Sequence, residues 1–489
     1  MTRTSVFVST AIPYVNAAPH LGFALEIILA DAFARHARAR GAAVHFVSGT
    51  DDNSLKNVRA AEAAGLSPRA FVDAHAAHYR DLQSLLGASF DDFVRTSADP
   101  RHVEAVHALW EACARAGDLE KRTYQGLYCV GCEAFYEASE LVGGTCPEHG
   151  TAPEVVEEEN WFFRLSRYQA PIAEALASGK LRIHPPWRGR EIATFVAGGL
   201  RDVSVSRSRT RARGWGIAVP GDPDQVIYVW FDALAYYLTS GLWTGTDRRI
   251  QVVGKGIARF HAVLWPALLL AAGLPLPTDL CVHGYLTVRG RKIGKSAGNG
   301  IAPQAVVSRY GADALRYFLL RHVGPVQDAD VDEDRLTAVY TSELADALGN
   351  LVSRTLGLVR RIPRGAVPDE PDGDALSVRA RALEKVVDDA CERLAPDEAL
   401  RAIWTLVAAA NKHLADGAPW AAPSACEAWA ILHPALTAIE AIGRALVPFL
   451  PSTAEAIERA LENPTAAAPV LFPKTVLTAV EEGSCPPGT

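Results

Sequence analysis

Residues 5–23 read SVFVSTAIPYVNAAPHLGF, and this stretch decides the fold. Residues 5–9 are a short apolar strand, VFV flanked by Ser. The chain passes through Thr10-Ala11-Ile12-Pro13-Tyr14 into a turn at residues 16–19. A helix follows, roughly residues 20–40, and Gly41 stops it. Residues 44–48 are again strand-like. Strand, turn, helix, strand is one βαβ unit, which implies a parallel sheet in an α/β fold. Ser67-Pro68 caps a further helix, with Ser as the cap and Pro in the first turn.

Working outward, the character changes from about residue 119 to 215. Aromatics, Gly, Cys and short strand-like runs replace the alternation, so this region reads as an inserted domain. The βα pattern returns at residues 226–231, 250–254 and 280–283, and the sheet is expected to draw strands from both sides of the insertion. The expected organisation is therefore 1–118 and 216–333 as two halves of one domain, 119–215 inserted, a helical bundle over 334–461, and a strap and tail over 462–489. A chain of 489 residues is too long for one compact core, which agrees with several domains.

The net charge of −7 argues against a general nucleic-acid coat and leaves room for a local basic patch. The apolar run over residues 262–277 is short for a membrane span and ends in prolines, so it reads as a buried helix. No charged leader with a cleavage site precedes the first strand, and the expected location is cytoplasmic. Little chain follows the bundle, so a monomer is the default expectation. The only methionine is Met1, for which the sequence offers no physical reason.

Eight cysteines in this length do not make a disulfide scaffold. Cys113, Cys281, Cys391 and Cys426 stand singly and read as buried or inert. Three others cluster: Cys129-Val-Gly-Cys132, thirteen residues, then Cys146-Pro-Glu-His149. Paired ligands on two tight turns are what a tetrahedral Cys3His zinc site needs, and four protein ligands leave no open position, so the expected metal is structural.

His20-Leu21-Gly22-Phe23 stands where the first strand turns into the first helix. Helix starts in this position bind phosphate through free N–H groups and the dipole. Gly22 would let a purine lie close to the backbone, and His20 can donate to phosphate. Lys292-Ile293-Gly294-Lys295-Ser296 follows the strand at 280–283 and a turn at Arg289-Gly290. Two lysines three apart on a glycine-bearing loop can reach over a triphosphate. A capping histidine and a solvated basic loop would explain either element alone; together they point to ATP.

These two elements resemble the HIGH and KMSKS signatures of class I aminoacyl-tRNA synthetases. Pro153-Glu154, Glu158-Glu159-Asn160-Trp161, Gly199-Leu200-Arg201-Asp202 and Val229-Trp230-Phe231-Asp232-Ala233-Leu234 are similar to methionyl-tRNA synthetase in particular. The resemblance runs from about residue 5 to about 456. It implies a Rossmann-like catalytic domain, an inserted zinc-knuckle domain and an all-α anticodon-binding bundle. It also implies the reaction: Mg2+·ATP and methionine give an adenylate, and the aminoacyl group passes to tRNA(Met). Carried over residue by residue, His20, Lys292 and Lys295 would be catalytic. His20, Gly22, Phe23, Lys292, Lys295 and Ser296 would line the ATP site. Ala11, Ile12, Tyr14, Asp51, Trp230, Ala233, Leu234, Tyr237, Ile257 and His261 would form the amino-acid pocket, with Asp51 on the ammonium. Asn350, Arg354 and Trp420 would read the anticodon, using an amide, a planar cation and an indole suited to splayed bases.

Three departures stand out. Phe23 replaces the second histidine of the signature, and a phenyl ring cannot donate to phosphate; losing such a donor costs on the order of 100-fold in rate or more. Asp52-Asn53-Ser54 stands where the family has an acidic residue, His and Gly. Gly294 replaces a serine in the lysine loop. The arginine-rich run from Arg207 to Arg213 resembles a small insertion and reads as a solvated loop, with RNA contact the alternative. Two other function classes therefore stay open. One is a paralogue that passes the activated amino acid to a small nucleophile, for example a hydroxylamine, with a separate cupin partner. The other is a decayed, non-enzymatic RNA-binding protein.

Overall fold

A computed structural model describes residues 3–129, 134–136, 138–147, 150–293, 300–323, 327–362, 374–463 and 468–474. The chain divides into two compact units, one made of 1–303, 319–331 and 388–399, the other of 304–318, 332–387 and 400–489.

In the first unit, β1 (Ser5–Thr10), β2 (Ala43–Thr50), β3 (Asp92–Arg95), β7 (Arg182–His184), β12 (Arg248–Gly254) and β13 (Asp279–His283) form a parallel sheet in the order β3-β2-β1-β12-β13-β7. The expected βαβ start is present: β1 pairs with β2 in parallel, Val6 beside Val44 and Val8 beside Phe46. Every residue of β1 after Ser5 is buried, as befits a strand covered on both faces. The connecting helix α1 (Leu21–Ala39) is apolar nearly all round and almost wholly buried, because it lies against the centre of the sheet. Helices α2 (Leu55–Ala63), α3 (Pro68–Leu86) and α4 (Pro100–Arg115) are capped by Ser54, Ser67 and Asp99, whose side chains accept backbone N–H groups of the first turn. A second layer of aromatic packing covers the sheet; Phe7 meets Trp243 edge-on at 5.4 Å, and Trp265 and Tyr237 complete the cluster.

Two features differ from the sequence expectation. The sixth strand of the parallel sheet, β7, comes from within residues 119–215. Residues 226–231, read as a returning sheet strand, divide instead into the end of β11 (Asp222–Ile227) and the helix Val229–Ala235. With β9 (Ser206–Ser208) and β10 (Ala218–Val219), β11 makes a small antiparallel sheet. Residues 226–231 are apolar and buried almost throughout, so the run looks continuous in sequence although the backbone changes state at Tyr228. The remaining strands of the insertion, β4 (Leu119–Cys129), β5 (Ala134–Tyr136), β6 (Glu154–Phe163) and β8 (Val203–Ser204), form a four-stranded sheet. A three-stranded sheet joins β14 (Leu286–Val288), β15 (Arg291–Lys292) and β16 (Ala329–Asp330).

The second unit is helical. The helices Ala312–Tyr317, Glu333–Val339, Asn350–Val359, Ala425–Leu446 and Pro451–Glu462 lie wholly within it. Buried Arg316 donates to the carbonyls of Phe449 and Pro448 at 2.6 and 3.1 Å. Asp313 accepts from the backbone and hydroxyl of Thr453 at 2.6 and 2.7 Å. The expected strap is packed where it is described, since Phe472 is buried edge-on against Tyr340 at 6.0 Å. Among the described residues no helix is long and apolar enough to cross a membrane. The run over 262–277 holds the buried helix Trp265–Ala271.

Candidate active site

The carboxyl ends of β1, β2, β12 and β13 bring most of the selected residues together. At the start of α1, His20 caps its own helix: the Gly22 N–H donates to His20 Nδ1 at 3.0 Å. The Leu21 N–H donates to the Ile301 carbonyl at 3.1 Å. Two of the N–H groups expected to be open to phosphate are thus occupied, and a nucleotide would have to turn His20 aside. Gly22 leaves room for the capping position of His20, since a Cβ there would stand 2.8 Å from the His20 ring and displace it. Phe23 is buried and meets Tyr79 edge-on at 5.4 Å. The Tyr79 hydroxyl donates to the Ala17 carbonyl at 3.0 Å, so the phenyl ring supports the turn that leads into His20.

The lysine-bearing segment starts as the hairpin of β14 and β15. Its turn uses positive φ at Arg289 and Gly290, and the Gly290 N–H donates to Asp330 at 3.0 Å. The Lys292 backbone pairs with Thr287 in that hairpin. The Lys292 side chain, and Gly294, Lys295 and Ser296, lie outside the described residues. The chain returns at Gly300, where a Cβ would be 3.8 Å from His20 Cβ. The chain that follows the undescribed residues thus lies against the start of α1.

The residues expected to form the amino-acid pocket fall into two groups, each held together by its own contacts. Tyr14 and Asp51 form a parallel bridge, and the Asp51 N–H donates to the Pro13 carbonyl at 2.9 Å. Gly49 lets β2 approach closely, because a Cβ there would strike the Val94 carbonyl at 2.2 Å and Ile12 at 3.2 Å. Ala11 is fixed by its N–H to the Val252 carbonyl at 3.0 Å. Opposite, Trp230 stacks on Phe260 at 3.9 Å and meets His261 edge-on at 6.4 Å. Ala233 and Leu234 are buried on the same helix as Trp230. His261 Nδ1 donates to the Ile257 carbonyl at 2.9 Å, and its Nε2 lies 2.8 Å from the Tyr237 hydroxyl. A carbonyl can only accept, so Nδ1 carries the proton. Burial lowers the His261 pKa to about 4, so the ring is neutral and Nε2 accepts from Tyr237. Burial raises Tyr237 well above its ordinary value, which keeps its proton in place.

The structure also shows partners that sequence reasoning missed. Asn53 Nδ2 donates to Asp232 Oδ2 at 2.8 Å, and His102 Nε2 lies 2.5 Å from Asp232 Oδ1. His102 Nδ1 is 3.1 Å from Thr239 Oγ1. Asn53, noted above only as a departure, ties the segment after Asp51 to the helix that carries Trp230. Neighbouring Asp52 is paired with Arg95 at 2.9 Å and accepts from Ser97 at 2.7 Å. Glu26 on α1 meets His283 at the end of β13 at 3.0 Å, with burial pushing the carboxyl above its usual range against the pull of His283. His102 and Glu26 sit inside ordinary helical patterns, so no spacing signal marks them.

The arginine run, expected as a solvated loop, is solvated only in part: Arg209 and Arg213 are exposed, Arg211 is half-buried and Arg207 is buried. Arg207 is buried, with its guanidinium 4.1 Å from the Tyr228 ring centre and 5.1 Å from that of Tyr128. Arg211 lies over Tyr128 at 4.4 Å. Of the metal-type residues, Cys129 and Cys146 are buried; Cys132 and His149 lie outside the described residues. Cys113, Cys281 and Cys391 are also buried, and burial pushes each thiol up to about 12, whereas Cys426 is exposed. In the helical unit Asn350 and Arg354 share the helix Asn350–Val359, both exposed, and the Arg354 guanidinium lies 5.2 Å from the Trp420 ring centre. Trp420 is 52% exposed, which rules out a core role for it.

The family model for class I tRNA synthetases of the M type matches residues 6–152 and 148–356, and that for the anticodon-binding domain of methionyl tRNA ligase matches 365–485. The chain is 39% identical over 477 residues to the methionine–tRNA ligase of Brucella suis, covering 93% of this chain and 91% of that one. The ligase of Thermosynechococcus vestitus is 39% identical, covering 92% and 88%. The structure of Mycobacterium tuberculosis methionyl-tRNA synthetase in complex with methionyl-adenylate superposes with a TM-score of 0.86 at 37% identity, covering 93% of each chain. Over nearly its whole length, the chain belongs to the methionyl type of the class I tRNA synthetases.

Proposed function

We propose that this chain is a methionine–tRNA ligase. The methionine carboxylate attacks the α-phosphorus of ATP, and pyrophosphate leaves with the electrons of the broken P–O bond. A terminal ribose hydroxyl of tRNA(Met) then attacks the adenylate carbonyl, AMP leaves, and the hydroxyl proton passes to it or to solvent. The side chain of methionine would lie among Ala11, Ile12, Tyr14, Trp230, Ala233, Leu234, Ile257 and His261, with its sulfur near Tyr237 and its ammonium on Asp51. A linear, polarisable side chain suits an apolar pocket with one hydroxyl. ATP would be held by His20, Gly22, Lys292, Lys295 and Ser296, with Phe23 supporting the turn rather than touching phosphate. Mg2+ would enter on the ATP phosphates and neutralise them.

The anticodon of the tRNA would meet Asn350, Arg354 and Trp420. The observation that supports the tRNA reading over a small-molecule acceptor is the exposed Arg354–Trp420 pair, a cation over an indole that is 52% open to solvent. Cys129 and Cys146, with Cys132 and His149, would hold a structural Zn2+ in the inserted domain; the paired spacing of the four and the burial of Cys129 and Cys146 support that donor set. The enzyme is read as a cytoplasmic monomer.

The test is amino-acid-dependent ATP–pyrophosphate exchange with each amino acid in turn. Methionine should give the highest kcat/KM by a wide margin. Exchange driven best by another amino acid, or by none, would overturn the reading.

A further inference from the structure

A hydrogen bond between Asn53 and Asp232 ties the two groups of pocket residues to each other. Asn53 follows Asp51 by two residues and turns back on it, its N–H donating to Asp51 Oδ1 at 3.3 Å. Its side-chain amide donates to Asp232 Oδ2 at 2.8 Å and to the Thr96 carbonyl at 3.3 Å. Asp232 stands on the helix Val229–Ala235, which also carries Trp230, Ala233 and Leu234. The Tyr236 hydroxyl makes a second tie, to the Thr10 carbonyl just before Ala11. The Tyr236 tie reaches the end of β1, whereas the Asn53 tie reaches the segment that bears Asp51.

Asp232 is held at both oxygens. It is 1% exposed, and His102 on α4 is fully buried. A carboxylate can only accept, so His102 Nε2 donates to Asp232 Oδ1 at 2.5 Å. His102 Nδ1 stands 3.1 Å from Thr239 Oγ1, two residues beyond Tyr237. Each carboxylate oxygen thus has a donor from a different element. A hydrogen bond to a charged acceptor is stronger than one between neutral groups, and more so away from water. Without the Asn53 amide, Asp232 Oδ2 would be left buried without that donor, and the helix bearing Trp230 would lose its tie to the Asp51 segment.

We infer that Asn53 is a specificity-determining positioning residue. Its bond to Asp232 sets the span between Asp51 and the wall of Trp230, Ala233 and Leu234, and so the length of linear side chain that the site accepts. The inference rests on the ligase reading above, which puts the substrate ammonium on Asp51 and the side chain against that wall. Asn53 stands where the family has histidine, and an imidazole N–H could make the same donation.

The test compares wild-type full-length enzyme with Asn53→Ala, Asn53→Asp and Asn53→His in pyrophosphate exchange. The substrates are methionine, norvaline (one atom shorter) and ethionine (one atom longer). Asn53→Ala should raise the KM for methionine about tenfold with kcat within about twofold, as loss of a hydrogen bond to a charged group gives. The preference for methionine over the other two should narrow about fivefold or more, since one methylene in an apolar pocket is worth about 10–200-fold. Asn53→Asp keeps the size and loses the donor, so it should shift the same way and carries the test if Asn53→Ala folds poorly. Asn53→His should recover most of the preference. An equal loss with all three substrates, or a lower melting temperature with the methionine KM and preference unchanged, marks a structural role and overturns the inference. Wild-type enzyme without methionine-dependent exchange overturns the ligase reading itself. Wild type that prefers methionine, beside variants that prefer it equally, overturns the inference alone.

Discussion

At the scale of single residues, Phe23 is the position whose meaning changed most. Read against the family signature it is a lost phosphate donor. In the structure it is a buried ring that supports Tyr79 and the turn before His20. Phe23→His would bury a polar ring in that contact, costing about 1–3 kcal/mol. Thermal unfolding should therefore occur at a lower temperature, and pyrophosphate exchange should not rise; a faster exchange would mean the phenyl ring merely obstructs phosphate. His261 gives a pH prediction. Its folded pKa is about 4 against 6.5 for the free side chain, so the unfolded chain takes up the proton first. Stability is unaffected by this group above about pH 6.5 and is lost as pH falls toward 4, by on the order of 3 kcal/mol in full. Denaturant titrations at pH 7 and 4.5 should show a smaller loss for His261→Asn than for wild type. Equal losses would mean that His261 is not the buried neutral group described here.

At the scale of elements, the sequence made some features legible and hid others for physical reasons. The first βαβ unit was readable because strand, turn and helix each carry local signals: VFV, Pro19, and Gly41 after the last turn. The helix Val229–Ala235 was not, because Val226 to Phe231 is apolar throughout and shows no period in either state. The Arg207–Arg213 run misled for a related reason. Charge suggests solvent, which holds for Arg209 and Arg213, yet Tyr128 and Tyr228, distant in sequence, supply the faces that cover Arg207 and Arg211. The network of Asn53, Asp232 and His102 is assembled from three separate elements, so no local pattern could reveal it. For the inserted element, metal analysis of freshly purified protein should find about one zinc per chain, and chelation should raise proteolysis within residues 119–215 before the rest. Protein that carries no zinc when purified would remove the proposed site.

At the scale of the whole molecule, the two units divide the task that the ligase reading requires. The first holds the activation chemistry at the carboxyl ends of a parallel sheet, where open α/β sheets bind their ligands. The second presents Asn350, Arg354 and Trp420 on an exposed face, a surface that a small-molecule ligase would not need. The fold of both units was legible from motifs spread along the chain; the acceptor was not, since retained residue types cannot distinguish use from inheritance. The measurement that bears most directly on this is charging of purified initiator and elongator tRNA(Met) by wild-type enzyme, run beside Arg354→Ala and Trp420→Ala at equal exchange activity. The account predicts that wild type charges both tRNAs and that each variant loses about tenfold or more in kcat/KM for tRNA while its methionine-dependent exchange is retained. Strong exchange with no charging by wild type would contradict it and return the chain to the small-nucleophile class.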